Sequence, residues 1–116
     1  DLTSSLASAY RDPDTGLDGQ WTDTGDKRST VESMADYGPG SRAIVFVRWT
    51  GNTGGHFFIA ENHDGQVVFL DPQNNEANVA SYFGRIEPGT VRILRTDDLE
   101  PNMNPMKYMM VTEDGE

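Results

Sequence analysis

Between Arg42 and Trp49 the chain is almost continuously apolar, Ala43-Ile44-Val45-Phe46-Val47, and on either side hydrophobic residues thin into short, punctuated segments. A run of that length, rich in β-branched and aromatic residues, fits a strand covered on both faces and predicts the central strand of a sheet. Thr50 to Gly54 then reads as a turn, His56 to Glu61 as a second strand and Gln66 to Leu70 as a third, giving an antiparallel meander. Val91 to Leu94 supplies a fourth strand, and Met106 to Val111 is a candidate fifth. Helical spacing is rarer. Ser29 to Glu32 has the capping-box arrangement, Val31, Met34 and Ala35 follow at helical intervals, and Gly38-Pro39-Gly40 stops the helix after Tyr37. Ala77 to Phe83 reads as a short helical turn that packs Val79, Tyr82 and Phe83.

The ends are less patterned. Residues 1–26 read as a loop-rich segment whose only apolar helical stripe is Leu2, Leu6, Ala9 and Tyr10, and residues 112–116 as a flexible tail. The expected architecture is a single α+β domain over residues 1–116, with a central antiparallel sheet of four or five strands and one or two short helices.

Composition narrows the function. The 116 residues are 35% hydrophobic, enough for one modest core, and 12 Gly and 6 Pro imply many turns. Nine Lys and Arg against 19 Asp and Glu give a formal net charge of -10, which repels phosphate backbones and anionic headgroups. Neither nucleic acid nor a membrane is therefore expected as partner, and no apolar run approaches the ~20 residues that span a bilayer. With no cysteine, disulfides, thiolate metal sites and a thiol nucleophile within these residues are excluded. No metal or cofactor is expected. Asp12, Asp14, Gly16 and Asp18 alternate like a calcium loop, but Leu17 stands where that loop needs glycine and Asp23 where it needs a bidentate Glu. His63, in the turn after Asn62, reads as a surface histidine rather than a ligand.

The candidate chemistry lies in the hairpin. Gly55-His56-Phe57-Phe58 on one strand and Phe69-Leu70-Asp71-Pro72-Gln73 on the next bring an imidazole, a carboxylate and a carboxamide into range. Opposed residues of an antiparallel pair share a face, so loop length decides whether they meet. A two-residue Asp64-Gly65 turn sets His56 opposite Gln73; a four-residue Asn62 to Gly65 loop sets it opposite Asp71. Either register puts all three side chains on one face, and only an odd-length loop separates them. An Asp that holds one ring nitrogen fixes the tautomer and stabilises the imidazolium, which is the acid/base half of a nucleophilic hydrolase. Gln73 is placed to donate to a substrate oxygen or to orient the ring.

Gly55-His56 with its following apolar residues, the Gly65 turn, the apolar strand and Asp71-Pro72-Gln73 resemble the papain-fold toxin domains, whose characterised members are protein glutamine deamidases. The likeness covers about residues 41–73, and Val91 to Asp97 is loosely similar to a later strand of that family. The resemblance implies a papain-like topology, a protein substrate, no cofactor, His56 as general base and acid, Asp71 as its orienting carboxylate, and Gln73 at a recurring position. It also implies a cysteine nucleophile opening a helix upstream of the sheet, where the helix terminus and the His lower the thiol pKa. No residue here matches that cysteine. Thr3, Ser4, Ser5 and Ser8 lie in the right direction along the chain, yet an alkoxide is far harder to generate than a thiolate.

Three arrangements follow. The nucleophile helix precedes Asp1 in a longer polypeptide, or it was lost in a catalytically inactive relative that serves as a structural or protein-binding module in a larger assembly, or another chain supplies it. The expected function is a toxin- or effector-type cysteine hydrolase, a glutamine deamidase represented without its nucleophile, secreted or delivered to a target cell.

Overall fold

A computed structural model of the protein describes residues 2–51, 54–73 and 79–101. Five strands form one sheet: β2 (Thr22–Gly25), β3 (Arg42–Arg48), β4 (Gly55–His63), β5 (Gln66–Leu70) and β6 (Val91–Arg95). Their spatial order is β2-β6-β3-β4-β5, every neighbouring pair is antiparallel, and the apolar run of β3 lies in the middle, as its composition requires. Two further short strands, β1 (Tyr10–Arg11) and β7 (Glu100–Pro101), pair with each other beside this sheet. Helices α1 (Leu2–Ser8) and α2 (Lys27–Tyr37) and a 3-10 helix over Val79–Arg85 complete an α+β fold.

Two expectations change. Residues 1–26 hold α1, β1 and β2, so the fifth strand of the sheet comes from the segment read as loop-rich; the candidate at Met106 to Val111 and the tail lie outside the described residues. Thr22-Asp23-Thr24-Gly25 carries no apolar alternation, and only its pairing with β6 makes it a strand. The start of α2 also differs. The cap is Asp26, in extended conformation, whose Oδ1 accepts the Ser29 amide at 2.8 Å, so Ser29 lies inside the helix. Gly38 ends the helix at φ 98°, a conformation that a side chain disfavours.

Alternation along the strands gives the sheet two distinct faces. On the inner face Ala43, Val45 and Val47 of β3 stand opposite Ala60, Phe58 and His56 of β4. Met34 from α2 and Val79 and Tyr82 from the 3-10 helix close over them. Among the described residues Phe58 is the largest fully buried side chain, and it meets Tyr82, Phe69 and Phe83 edge-on; its burial stabilises the fold by roughly 2–3 kcal/mol. The outer face carries Ile44, Phe57 and Ile59, which share a groove with Leu2 and Leu6 of α1. Trp21 fixes that helix, donating from Nε1 to the Thr3 carbonyl while its ring packs 6.3 Å from Phe57.

Candidate functional site

The β4–β5 hairpin turns through Asp64 and Gly65, at φ 54° and 97°, the left-handed pair that a two-residue hairpin needs. The Asn62 side-chain carbonyl accepts the Gly65 amide, and its amide donates to the Met34 carbonyl, which ties the turn to α2. The register runs from His63 opposite Gln66 to Ile59 opposite Leu70, where the ladder ends. One step further, Asp71 falls opposite Phe58 and diagonal to His56, on the inner face, close enough for an acid and a ring to bridge.

They do so. His56 Nε2 lies 2.7 Å from Asp71 Oδ2, with the His56 side chain 17% exposed and that of Asp71 0%. The same Oδ2 accepts the Tyr82 hydroxyl at 2.8 Å, and Oδ1 accepts the Gln73 main-chain amide at 3.0 Å. The Tyr82 hydroxyl and the Gln73 amide both donate to this group, and as a carboxylate it has only acceptors, so the ring must be the donor of the bond to His56. Nε2 then carries the hydrogen of the His56–Asp71 bond, and Nδ1 is the ring nitrogen left to exchange a proton.

Aromatic packing fixes the imidazole plane. Trp49 stacks on it with centroids 5.9 Å apart and planes 21° apart, and Tyr82 meets it edge-on at 5.8 Å. These groups are held by main-chain bonds between the end of β3 and the end of the 3-10 helix: Thr50 donates to the Arg85 carbonyl and Glu87 to the Arg48 carbonyl. Gly55 has a steric role. A Cβ there would stand 2.8 Å from the Val47 carbonyl oxygen and from the Phe46 ring, so only glycine lets β4 begin against β3 with His56 next in line. Trp49, which stacks on the imidazole, also lines a cleft of about 540 Å³ together with Thr50, Gly84 and Arg85.

Gln73 is placed differently from His56 and Asp71. Its main chain braces Asp71, whereas its exposed residue lines the outer-face groove with Leu2, Leu6, Phe57 and Pro72. The β5 ladder ends before Asp71, and the Asp71-centred turn at Pro72 redirects the chain, so the register that would have set Gln73 opposite His56 does not extend that far. The hydroxyls of Thr3, Ser4, Ser5 and Ser8 ride on α1, which packs on the Phe57 face, and adjacent residues of a strand point to opposite faces. That helix therefore stands across the sheet from His56. His63 pairs on the surface with Glu61, at 2.7 Å.

The family described as papain fold toxin 1, glutamine deamidase, matches residues 3–76, which include the whole hairpin and both site residues. The chain belongs to this family. No curated protein and no solved structure matches it. The match to the papain-fold toxins takes in β2 and nearly all of α1, although their composition reads as loop. Tyr82 and Arg85 lie beyond the matched span. Sequence reasoning assigned Tyr82 to packing alone; the signal available was a phenol in an apolar turn, which when buried needs an acceptor.

Proposed function

We propose that these residues are the sheet-bearing part of a toxin-type protein glutamine deamidase, with His56 as general base and acid and Asp71 as the carboxylate that orients it. The observation that carries the reading is the His56 Nε2–Asp71 Oδ2 hydrogen bond, largely shielded from water, in a chain of this family. The deamidase reading needs a thiolate, and the 116 residues contain no cysteine. The nucleophile is assigned to a segment of polypeptide outside them.

In the reaction, the thiol loses its proton to His56 Nδ1, and the thiolate sulfur attacks the carbonyl carbon of a glutamine side chain. The C–N bond breaks as the imidazolium returns the proton to the leaving nitrogen, which departs as ammonia. Water, deprotonated by His56, then hydrolyses the thioester to glutamate and frees the thiol. Asp71 stabilises the imidazolium in both half-reactions, and Tyr82 holds the acid through a second hydrogen bond. A protein substrate and delivery to a target cell accord with the toxin family.

The test is ammonia release and mass shift on glutamine-containing proteins, using a polypeptide that includes these residues and a cysteine-bearing helix before Asp1. His56→Ala should lower turnover by roughly 10²–10⁴-fold, and activity indifferent to that change would sink the proposal. The 116-residue chain alone should release no ammonia. His56-dependent release from it would place the nucleophile within these residues, and peptide-bond cleavage in place of deamidation would change the reaction class. A polypeptide with no cysteine anywhere upstream would favour the binding-module alternative.

A further inference from the structure

Five arginines of the described residues sit in ion pairs, Arg11, Arg28, Arg42, Arg92 and Arg95 with acidic neighbours. Arg85 differs. It is exposed at the end of the 3-10 helix, has no ion pair among the described residues, and its guanidinium carbon stands 5.6 Å from the Trp49 ring centroid and 5.3 Å from that of Tyr82. Both rings also touch His56, and Arg85 and Trp49 together line the cleft. A guanidinium held near aromatic rings by cation–π attraction keeps N–H groups available, and that planar fork matches a carboxylate. Packing between two rings also removes side-chain freedom before any ligand arrives, so less is lost on binding.

From this geometry we propose that Arg85 forms an anion subsite, which holds a carboxylate of the substrate protein next to the glutamine presented to His56. The substrate class is then a glutamine with an acidic neighbour. The proposal rests on the deamidase reading for its substrate, while the subsite itself rests on Arg85, Trp49 and Tyr82. The chain's net charge of -10 repels anions at long range, and Arg85 is where the cleft attracts one.

The experiment is binding to the 116-residue chain, followed by the indole N–H NMR signal of Trp49. The probes are short blocked peptides with one glutamine flanked by glutamate, alanine or lysine, and a fourth peptide whose single carboxylate is its C-terminus. The glutamate peptide should bind about fivefold more tightly than the alanine peptide, the worth of one exposed ion pair, and the lysine peptide more weakly than both. Arg85→Gln should remove that ranking and Arg85→Lys should keep part of it, since the charge remains but the planar fork does not. Equal binding of all peptides, or a ranking unchanged in Arg85→Gln, overturns the proposal. Preference for the fourth peptide over the glutamate peptide supports the subsite and assigns it to a chain terminus instead of an acidic side chain. Failure of the deamidase reading is separable: a glutamate peptide with alanine replacing glutamine, bound in an Arg85-dependent way, supports the subsite whatever the ammonia assay gives.

Discussion

The chain has two histidines, each 2.7 Å from a carboxylate through Nε2, and they could hardly be placed more differently. His56 and Asp71 have side-chain exposures of 17% and 0%; His63 and Glu61 have 57% and 24%. Around His56 the carboxylate accepts hydrogen bonds from Tyr82 and the Gln73 amide, and the ring is stacked by Trp49 and met edge-on by Tyr82. Around His63 the pair joins a charged surface strip: Glu61 also meets Arg42, whose amide donates to Asp97, which pairs with Arg95. Equal distances thus carry unequal meaning. Water screens the exposed pair to little net worth, whereas the shielded one interacts at lower dielectric and in one fixed geometry.

Substitutions that remove one partner from each pair measure that contrast most directly. Asp71→Ala leaves His56, Tyr82 and the Gln73 amide without their acceptor and should cost about 3 kcal/mol in urea unfolding. Glu61→Ala should cost under about 1 kcal/mol. Similar losses from the two would show that burial does not separate them.

Gly55→Ala brings a methyl group within 2.8 Å of the Val47 carbonyl and should cost about 2 kcal/mol while displacing His56 from Asp71. The displacement should appear as a changed His56 NMR signal with the His63 signal unmoved. Tyr82→Phe removes one hydroxyl and should cost about 1–2 kcal/mol in the same unfolding assay, because Asp71 loses a buried donor but the ring packing stays. A neutral Tyr82→Phe would mean that the hydroxyl does not brace the acid.

The smallest effect concerns the surface strip. Burial by itself would raise the Asp97 carboxyl, but hydrogen bonds from the Arg95 side chain and the Arg42 amide, with the Arg95 charge, hold it below its ordinary value. A carboxyl depressed in the folded state stabilises the protein above its unfolded pKa of about 4 and loses that contribution as pH falls through the folded value. The stability gap between wild type and Asp97→Asn should therefore be a fraction of about 1 kcal/mol at pH 7 and close below pH ~4. Half-molar salt should shrink it too, while leaving the Asp71→Ala loss intact.

Much of this was legible in the residues. The apolar run at Arg42 to Arg48, a hairpin ending at Gly65 and the even parity that puts His56 and Asp71 on one face follow from periodicity and turn chemistry, which are local properties, while the structure chose the two-residue Asp64-Gly65 turn over the four-residue loop. Strand β2 was not, because Thr22 to Gly25 owes its extension to a partner nearly 70 positions away. Nor was Ser29's place inside α2: the capping-box spacing points to Ser29, whereas the carboxylate that accepts the helix's Ser29 amide is that of Asp26. Gln73 was expected beside His56, but a ladder that stops at Leu70 cannot carry register past it.

By itself the sequence determined which chemical groups exist, which strand they ride on and which face they share, and the lack of a thiol among these residues. Only the tertiary structure decided that Tyr82 and Trp49 pack on the His56–Asp71 pair and that Arg85 lines a cleft with Trp49. The contacts of Tyr82 with His56 and Trp49, and of Arg85 with Trp49, join positions more than 20 residues apart. Strand periodicity repeats every two residues and turn chemistry spans about four, so neither reaches across that gap; packing of the 3-10 helix against the sheet does.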